Sequence, residues 1–172
     1  ITEIRGGAFC KCSSLETITI PNSVLIMGES VFEECRNLTS VTLSENLTEI
    51  PYRTFAYCTK LSTVIIPGKV ETIGVSAFFG AGLTDIEIPE TVREIKGNAF
   101  WGNSSLTKIW VPNGVVKIGE YAFSDCASLW TISLPSTVTE IGGSVFYGCK
   151  DLRSISLDQY NQNFTSYKGA LF

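Results

Sequence analysis

The chain contains no histidine and only one methionine in 172 residues. Without histidine, the commonest general base, the usual base of a nucleophile triad and the commonest transition-metal ligand are all missing. No catalytic residue, metal site or cofactor is therefore assigned, and an enzyme is not expected. Charge is also scarce, at 17% of residues with a formal net charge of −4. Phosphate binding needs clustered Lys and Arg, and the 13 basic residues are scattered, so nucleic acid is not an expected partner. Long apolar runs are missing: no stretch approaches the roughly 18 residues that a membrane-spanning helix requires, so no transmembrane segment is expected in this chain. No signal-peptide pattern opens the sequence. It begins on Ile1 inside a repeat, without Met, and reads as part of a longer protein that continues past Phe172.

What is present is apolar and periodic. Hydrophobic residues make up 44% of the chain, enough for a folded domain with a substantial core. Seven phenylalanines set a ruler: Phe9, Phe32, Phe55, Phe78, Phe100, Phe123 and Phe146. They lie 23 residues apart, except for one step of 22 between Phe78 and Phe100. The missing residue falls between Phe78 and Leu83, and a repeat array tolerates such a deletion in a turn.

Seven leucines run in step with the ruler, from Leu15 through Leu83 to Leu152, each followed by apolar residues at +3 and +5. Ile132 and Leu134 after Leu129 are an example. Apolar residues two apart, many of them β-branched, predict one short strand per repeat. Proline closes that strand in five copies (Pro21, Pro67, Pro89, Pro112, Pro135), with Ser44 and Asp158 elsewhere. Its missing N–H suits a strand end. Further apolar residues follow, as at Val115 and Ile118, then usually a glycine: Gly28, Gly74, Gly119, Gly142. These glycines are expected to make a tight turn with positive φ, although Arg5, Pro51 and Lys96 occupy the position in other copies. Ala, Phe and Cys at i, i+1 and i+4 then predict a short α or 3₁₀ turn.

The unit Leu-x-x-Ile-x-Ile-Pro-x-x-Val-x-x-Ile-Gly-x-x-Ala-Phe-x-x-Cys resembles the BspA-like, or Treponema pallidum type, leucine-rich repeat. The resemblance implies an α/β solenoid rich in β: a curved, right-handed stack with a parallel sheet on its concave face and short helical turns elsewhere. Residues 1–157 are expected to form seven coils of this solenoid, and 158–172 the irregular start of a further coil or a C-terminal segment. The resemblance also implies an extracellular or cell-surface location and a non-catalytic role in adhesion, with a host matrix protein, a cell-surface protein or a glycan as partner. The alternative is a structural spacer within a larger surface protein. Unpaired strand edges at the two ends of the stack would favour end-to-end self-association.

The residues that repeat are those that pack, so binding must lie in what varies. On the concave face the outward columns are mostly Ser and Thr. They are interrupted by Ile65, Asp85, Glu87, Lys108 and Trp110, with Trp130 at the rim. Exposed aromatics beside charges are favoured binding anchors, so these six are the candidate partner-binding residues. The competing reading is that Asp85 and Lys108 pair across strands and the indoles cover apolar surface. Asp85 and Glu87, about 7 Å apart on one strand face, have a glycosidase-like separation, but an open sheet does not exclude water. Cys12, Cys35, Cys58, Cys126 and Cys149 share one repeat position and are expected to form a ladder of buried free thiols. Cys10 lies outside it and is expected to be the reactive one. Phe79 and Trp101, just after ruler phenylalanines, are expected on the convex or lateral surface. Asn37, Asn46, Asn103 and Asn163 open Asn-x-Ser/Thr triplets, glycan acceptors only in a secreted eukaryotic protein.

Overall fold

The Leu-x-x-Ile-x-Ile pattern forms a strand in five coils and only an isolated bridge at Ile65 and Glu87, and a short strand appears further along each coil up to Ile141. The computed structural model describes residues 1–164 and the short strands at 166–167 and 170–171; the expected C-terminal segment 158–172 therefore lies partly outside the described residues. In chain order the strands up to residue 157 are β1 (Glu3–Ile4), β2 (Thr17–Thr19), β3 (Ile26–Met27), β4 (Ser40–Thr42), β5 (Glu49–Ile50), β6 (Thr72–Ile73), β7 (Glu94–Ile95), β8 (Lys108–Trp110), β9 (Lys117–Ile118), β10 (Thr131–Leu134), β11 (Glu140–Ile141) and β12 (Ser154–Leu157). All pair in parallel with the equivalent strand one coil away. The result is a parallel-strand β-solenoid of about seven turns.

The strands build two sheets along the stack. The primary sheet contains the predicted strands, paired as β2–β4 and β8–β10–β12. The second sheet was expected only as an extended piece, but β5, β6, β7, β9 and β11 form a continuous five-stranded ladder. Its strands alternate one outward and one inward side chain, as at Glu49 and Ile50. Between the sheets lies one core, in which Leu38, Leu61, Leu83, Leu106 and Leu129 are fully buried. The ruler phenylalanines stack through it, with ring centroids 5.3 to 6.2 Å apart and interplanar angles of 3° to 14°. Each stacked pair adds about 1 kcal/mol beyond its burial.

The expected helical turn is absent: among the described residues there is no helix. Two residues per coil hold a left-handed backbone, one two positions before the ruler phenylalanine and one two positions after it. In the third coil they are Arg53 (φ 52°) and Tyr57 (φ 61°). A left-handed residue stops right-handed helical succession. Consecutive β-turns replace the helix, and their N–H groups alternate in use. Ala56 and Cys58 donate back within the coil, to Arg53 and Phe55, whereas Arg53, Phe55 and Tyr57 donate to Val75, Ala77 and Phe79 of the next coil. The Ala-Phe-Cys run is thus a third ladder between coils. For bulky side chains such as Tyr57 the left-handed backbone costs about 1 kcal/mol or more, offset by these inter-coil bonds.

The repeat glycines also differ from expectation. Gly28, Gly74, Gly119 and Gly142 are not among the residues with positive φ. A Cβ at Gly119 would instead overlap the backbone of Lys96 and Gly97 one coil below, and one at Gly74 would overlap Ile50 and Pro51. Close approach of two backbones, not turn geometry, selects glycine here.

Where a polar residue replaces a packing residue, its hydrogen bonds are met internally. Ser44, at a proline position, donates to the Val24 carbonyl at 2.6 Å, and Thr54, at an alanine position, donates to Pro51 at 2.9 Å.

Candidate functional site

The candidate residues sit where the primary sheet is interrupted. β4 has no ladder partner on the side of residues 63–66, and β8 has none on the side of residues 85–88. Between these gaps a single parallel bridge joins Ile65 to Glu87. The second sheet and the phenylalanine stack carry the solenoid across the same coils without a break. The interruption is therefore local to the outward face of four coils.

Outward residues on these strands meet solvent. Ile65 is 81% exposed, Trp110 67% and Trp130 54%, and Asp85, Glu87 and Lys108 are exposed as well. In the paired strands Lys108 stands opposite Thr131 and Trp110 opposite Ser133. Asp85, Glu87, Lys108 and Trp110 line one shallow depression of about 690 Å³. Ile65 lies in an adjoining depression of about 340 Å³ that shares Asp85 and Glu87. Trp130 lines neither; its backbone is held between Thr107 and Arg153.

The Asp85–Lys108 pair of the competing reading does not form. Among the described residues none of Asp85, Glu87 and Lys108 has an oppositely charged partner within 4.0 Å, whereas Glu33, Glu34, Glu94 and Glu140 are paired. Lys117 bridges Glu94 and Glu140 across three coils at 3.9 and 3.3 Å, and Arg53 meets Glu33 at 2.6 Å. The depression also contains Glu90 and the hydroxyl residues Ser133 and Ser156, which the column pattern did not single out. Glu90 lies beyond Pro89, outside the alternating strand, so periodicity gave it no weight. Among the described residues no group of three or more Cys, Asp or Glu side chains is placed to hold a metal ion.

The thiol ladder is buried only in its middle. Cys35, Cys58 and Cys126 are buried, Cys149 is half-buried and Cys12 is exposed; all six cysteines are free. Each inner thiol donates to the carbonyl of the preceding coil's ruler phenylalanine, as Cys58 does to Phe32 at 3.1 Å and Cys126 to Phe100 at 3.3 Å. Burial pushes Cys58 and Cys126 up to about 12 and Cys35 and Cys149 up to about 11. Cys12, not the half-buried Cys10, is the most open thiol.

On the turn side, Phe79 and Trp101 are half-buried within a row of rings. Tyr57, Phe79, Trp101 and Tyr121 follow one another at centroid separations of 5.3 to 5.4 Å, and the Trp101 indole N–H donates to Asp125 at 2.8 Å. Of the Asn-x-Ser/Thr triplets, Asn103 is fully buried with its amide committed to Phe78 and Phe100, which bars it as a glycan acceptor.

Comparison with known proteins agrees with this geometry. The BspA type leucine rich repeat region, in six copies, matches residues 1–107 and 101–172. No curated protein matches the chain. Among solved structures, a leucine rich repeat protein of T. pallidum is 29% identical, with a TM-score of 0.82 over 88% of this chain and 72% of that one. A leucine-rich repeat protein from Eubacterium ventriosum is 25% identical, with a TM-score of 0.74 over 79% of this chain and 36% of that one. A leucine rich cell surface protein from Faecalibacterium prausnitzii is 25% identical, with a TM-score of 0.53 over 94% of this chain and 65% of that one. With repeat, solenoid and family profile in agreement along its length, the chain belongs to the BspA-type leucine-rich repeat family.

Proposed function

We propose that this solenoid is a non-catalytic interaction module of a cell-surface or secreted protein, which attaches to a partner through the primary-sheet face around Trp110. The observation that carries this reading is the coincidence of two features. The primary sheet is interrupted between β4 and β8, and there its Ser and Thr columns give way to Ile65 and Trp110, 81% and 67% exposed. Large apolar side chains on a solvated sheet cost solubility unless a partner covers them, and tryptophan is a preferred hot spot when covered. The surface location is supported by membership of the repeat family and by the name of the Faecalibacterium relative. Residues 1–157 act as one repeat array in this reading, and adhesion to host matrix or cell-surface proteins is its biological form.

The test replaces Trp110→Ala and Ile65→Ser together and measures attachment of protein-coated beads to immobilised matrix proteins and to epithelial cells. Both side chains are exposed, so the thermal unfolding curve should be preserved while attachment falls. Undiminished attachment by a folded variant would assign the array to spacing other domains.

A further inference from the structure

We infer that the partner offers this face a basic side chain, an Arg or Lys within a protein segment, seated over Glu87 between Ile65 and Trp110. This rests on the binding face proposed above and specifies its ligand.

The order of residues across the face carries the inference. Ile65 and Glu87 are bridged on neighbouring strands, and Trp110 occupies the same outward column one coil further on. An exposed carboxylate thus lies between an exposed aliphatic and an exposed aromatic side chain. Two strand spacings, about 10 Å, separate the outer members. That span suits a side chain with an apolar stem and a cationic head. The methylenes lie along Ile65, the head meets the Glu87 carboxylate, and the indole supplies a cation–π contact.

Charge agrees. The depression contains the carboxylates of Asp85, Glu87 and Glu90 against the single ammonium of Lys108. Among the described residues none of the four has a counter-ion within 4.0 Å, although the molecule pairs acids and bases between coils elsewhere. The site therefore holds an excess of unmatched negative charge, complementary to a basic segment and repulsive to an anionic one. A neutral sugar would use the indole but would leave Ile65 and the charge excess without a role.

The experiment follows the Trp110 indole N–H by two-dimensional NMR, assigned from its loss in Trp110→Phe, as three probes are added: a tetra-arginine peptide, a tetra-glutamate peptide and maltotetraose. Tetra-arginine is expected to shift the Trp110 signal, tetra-glutamate and maltotetraose are not. Its affinity should fall roughly two- to fivefold in Glu87→Gln and fall further as salt rises to about 1 M. A shift produced by maltotetraose or tetra-glutamate but not by tetra-arginine would overturn the inference, and so would unchanged tetra-arginine affinity in Glu87→Gln. If Trp110→Ala with Ile65→Ser abolishes attachment while Glu87→Gln leaves attachment and peptide affinity intact, the binding face stands and its basic ligand falls.

Discussion

The Asn103 side-chain amide donates to the Phe78 carbonyl at 2.8 Å, at the repeat position where the neighbouring coil's Cys126 thiol donates to Phe100 at 3.3 Å. Asparagine does more than the thiol. It also donates to Phe100 and accepts from the Leu83 N–H, so it ties three backbone groups together beside the shortened 22-residue coil. Asn103→Ala should leave the Leu83 N–H without its acceptor, while the Phe78 and Phe100 carbonyls keep the Ala81 and residue-103 backbone N–H donors, and should cost about 1–3 kcal/mol, whereas Asn103→Cys should keep one of the side-chain contacts and cost less. Urea unfolding of the two variants checks the order.

Thiol chemistry should divide the six cysteines sharply. Cys12 should react rapidly with a disulfide reagent at pH 8, and Cys58 and Cys126 only as the chain unfolds. Their raised pKa also has a stability consequence. An unfolded cysteine loses its proton near 9, while Cys58 and Cys126 hold theirs to about 12. Above pH 9 the unfolded state binds fewer protons, so stability is full below 9 and declines as pH rises toward 12. Serine at Cys58 and Cys126 should flatten that decline, measurable as melting temperature against pH.

Glycines of one repeat array should differ by what lies one coil below. Gly119→Ala forces a methyl group into the Lys96–Gly97 backbone and should cost about 1–3 kcal/mol or prevent coil closure. At Gly68 a Cβ meets nothing within 4 Å, and φ is not positive. Gly68→Ala should therefore be neutral or stabilise by up to about 1 kcal/mol through the unfolded state. Paired thermal melts decide the matter.

The phenylalanine stack should weaken toward its end. Phe100 is fully buried, with partners at 5.3 and 5.4 Å, whereas Phe146 is partly buried, with its partner at 6.2 Å. Phe100→Ala should cost about 3–5 kcal/mol and lower the cooperativity of unfolding, because a solenoid holds together through nearest neighbours. Phe146→Ala should cost clearly less.

Lys108 gives the charge reading of the Trp110 face a signed check. Removing the one ammonium among three carboxylates should strengthen tetra-arginine binding, so Lys108→Ala and Glu87→Gln should move the affinity in opposite directions. Titrations of the two variants at low salt are the measurement.

Much of the fold is legible because each coil repeats one spacing. Leu129, Ile132 and Leu134 announce a strand by their separation alone, and Phe123 announces its place in the stack. The helical reading of Ala122-Phe123-Cys126 failed because i, i+1 and i+4 suit a helical turn and a pair of β-turns equally. What separates them is the left-handed backbone at Tyr121 and Asp125 (φ 56° and 54°), which neither side chain advertises. Five candidate face residues stand out as departures from the Ser and Thr columns and Trp130 as a rim residue, but Glu90 does not, because it follows the strand and has no column to depart from.

The sequence by itself determined the repeat length, the inward residues of every coil and the few outward positions that break the pattern, since each depends on spacing within about 20 residues of chain. Only the tertiary structure decided that the second sheet runs without a break from β5 to β11 while the primary sheet parts around Ile65 and Glu87, and that Lys108 leaves Asp85 unpaired. It likewise decided that the glycines serve backbone approach rather than a turn. The physical reason is that the partners of these groups lie one coil away. Whether two backbones close to hydrogen-bonding distance there depends on how whole coils stack, which no local spacing encodes.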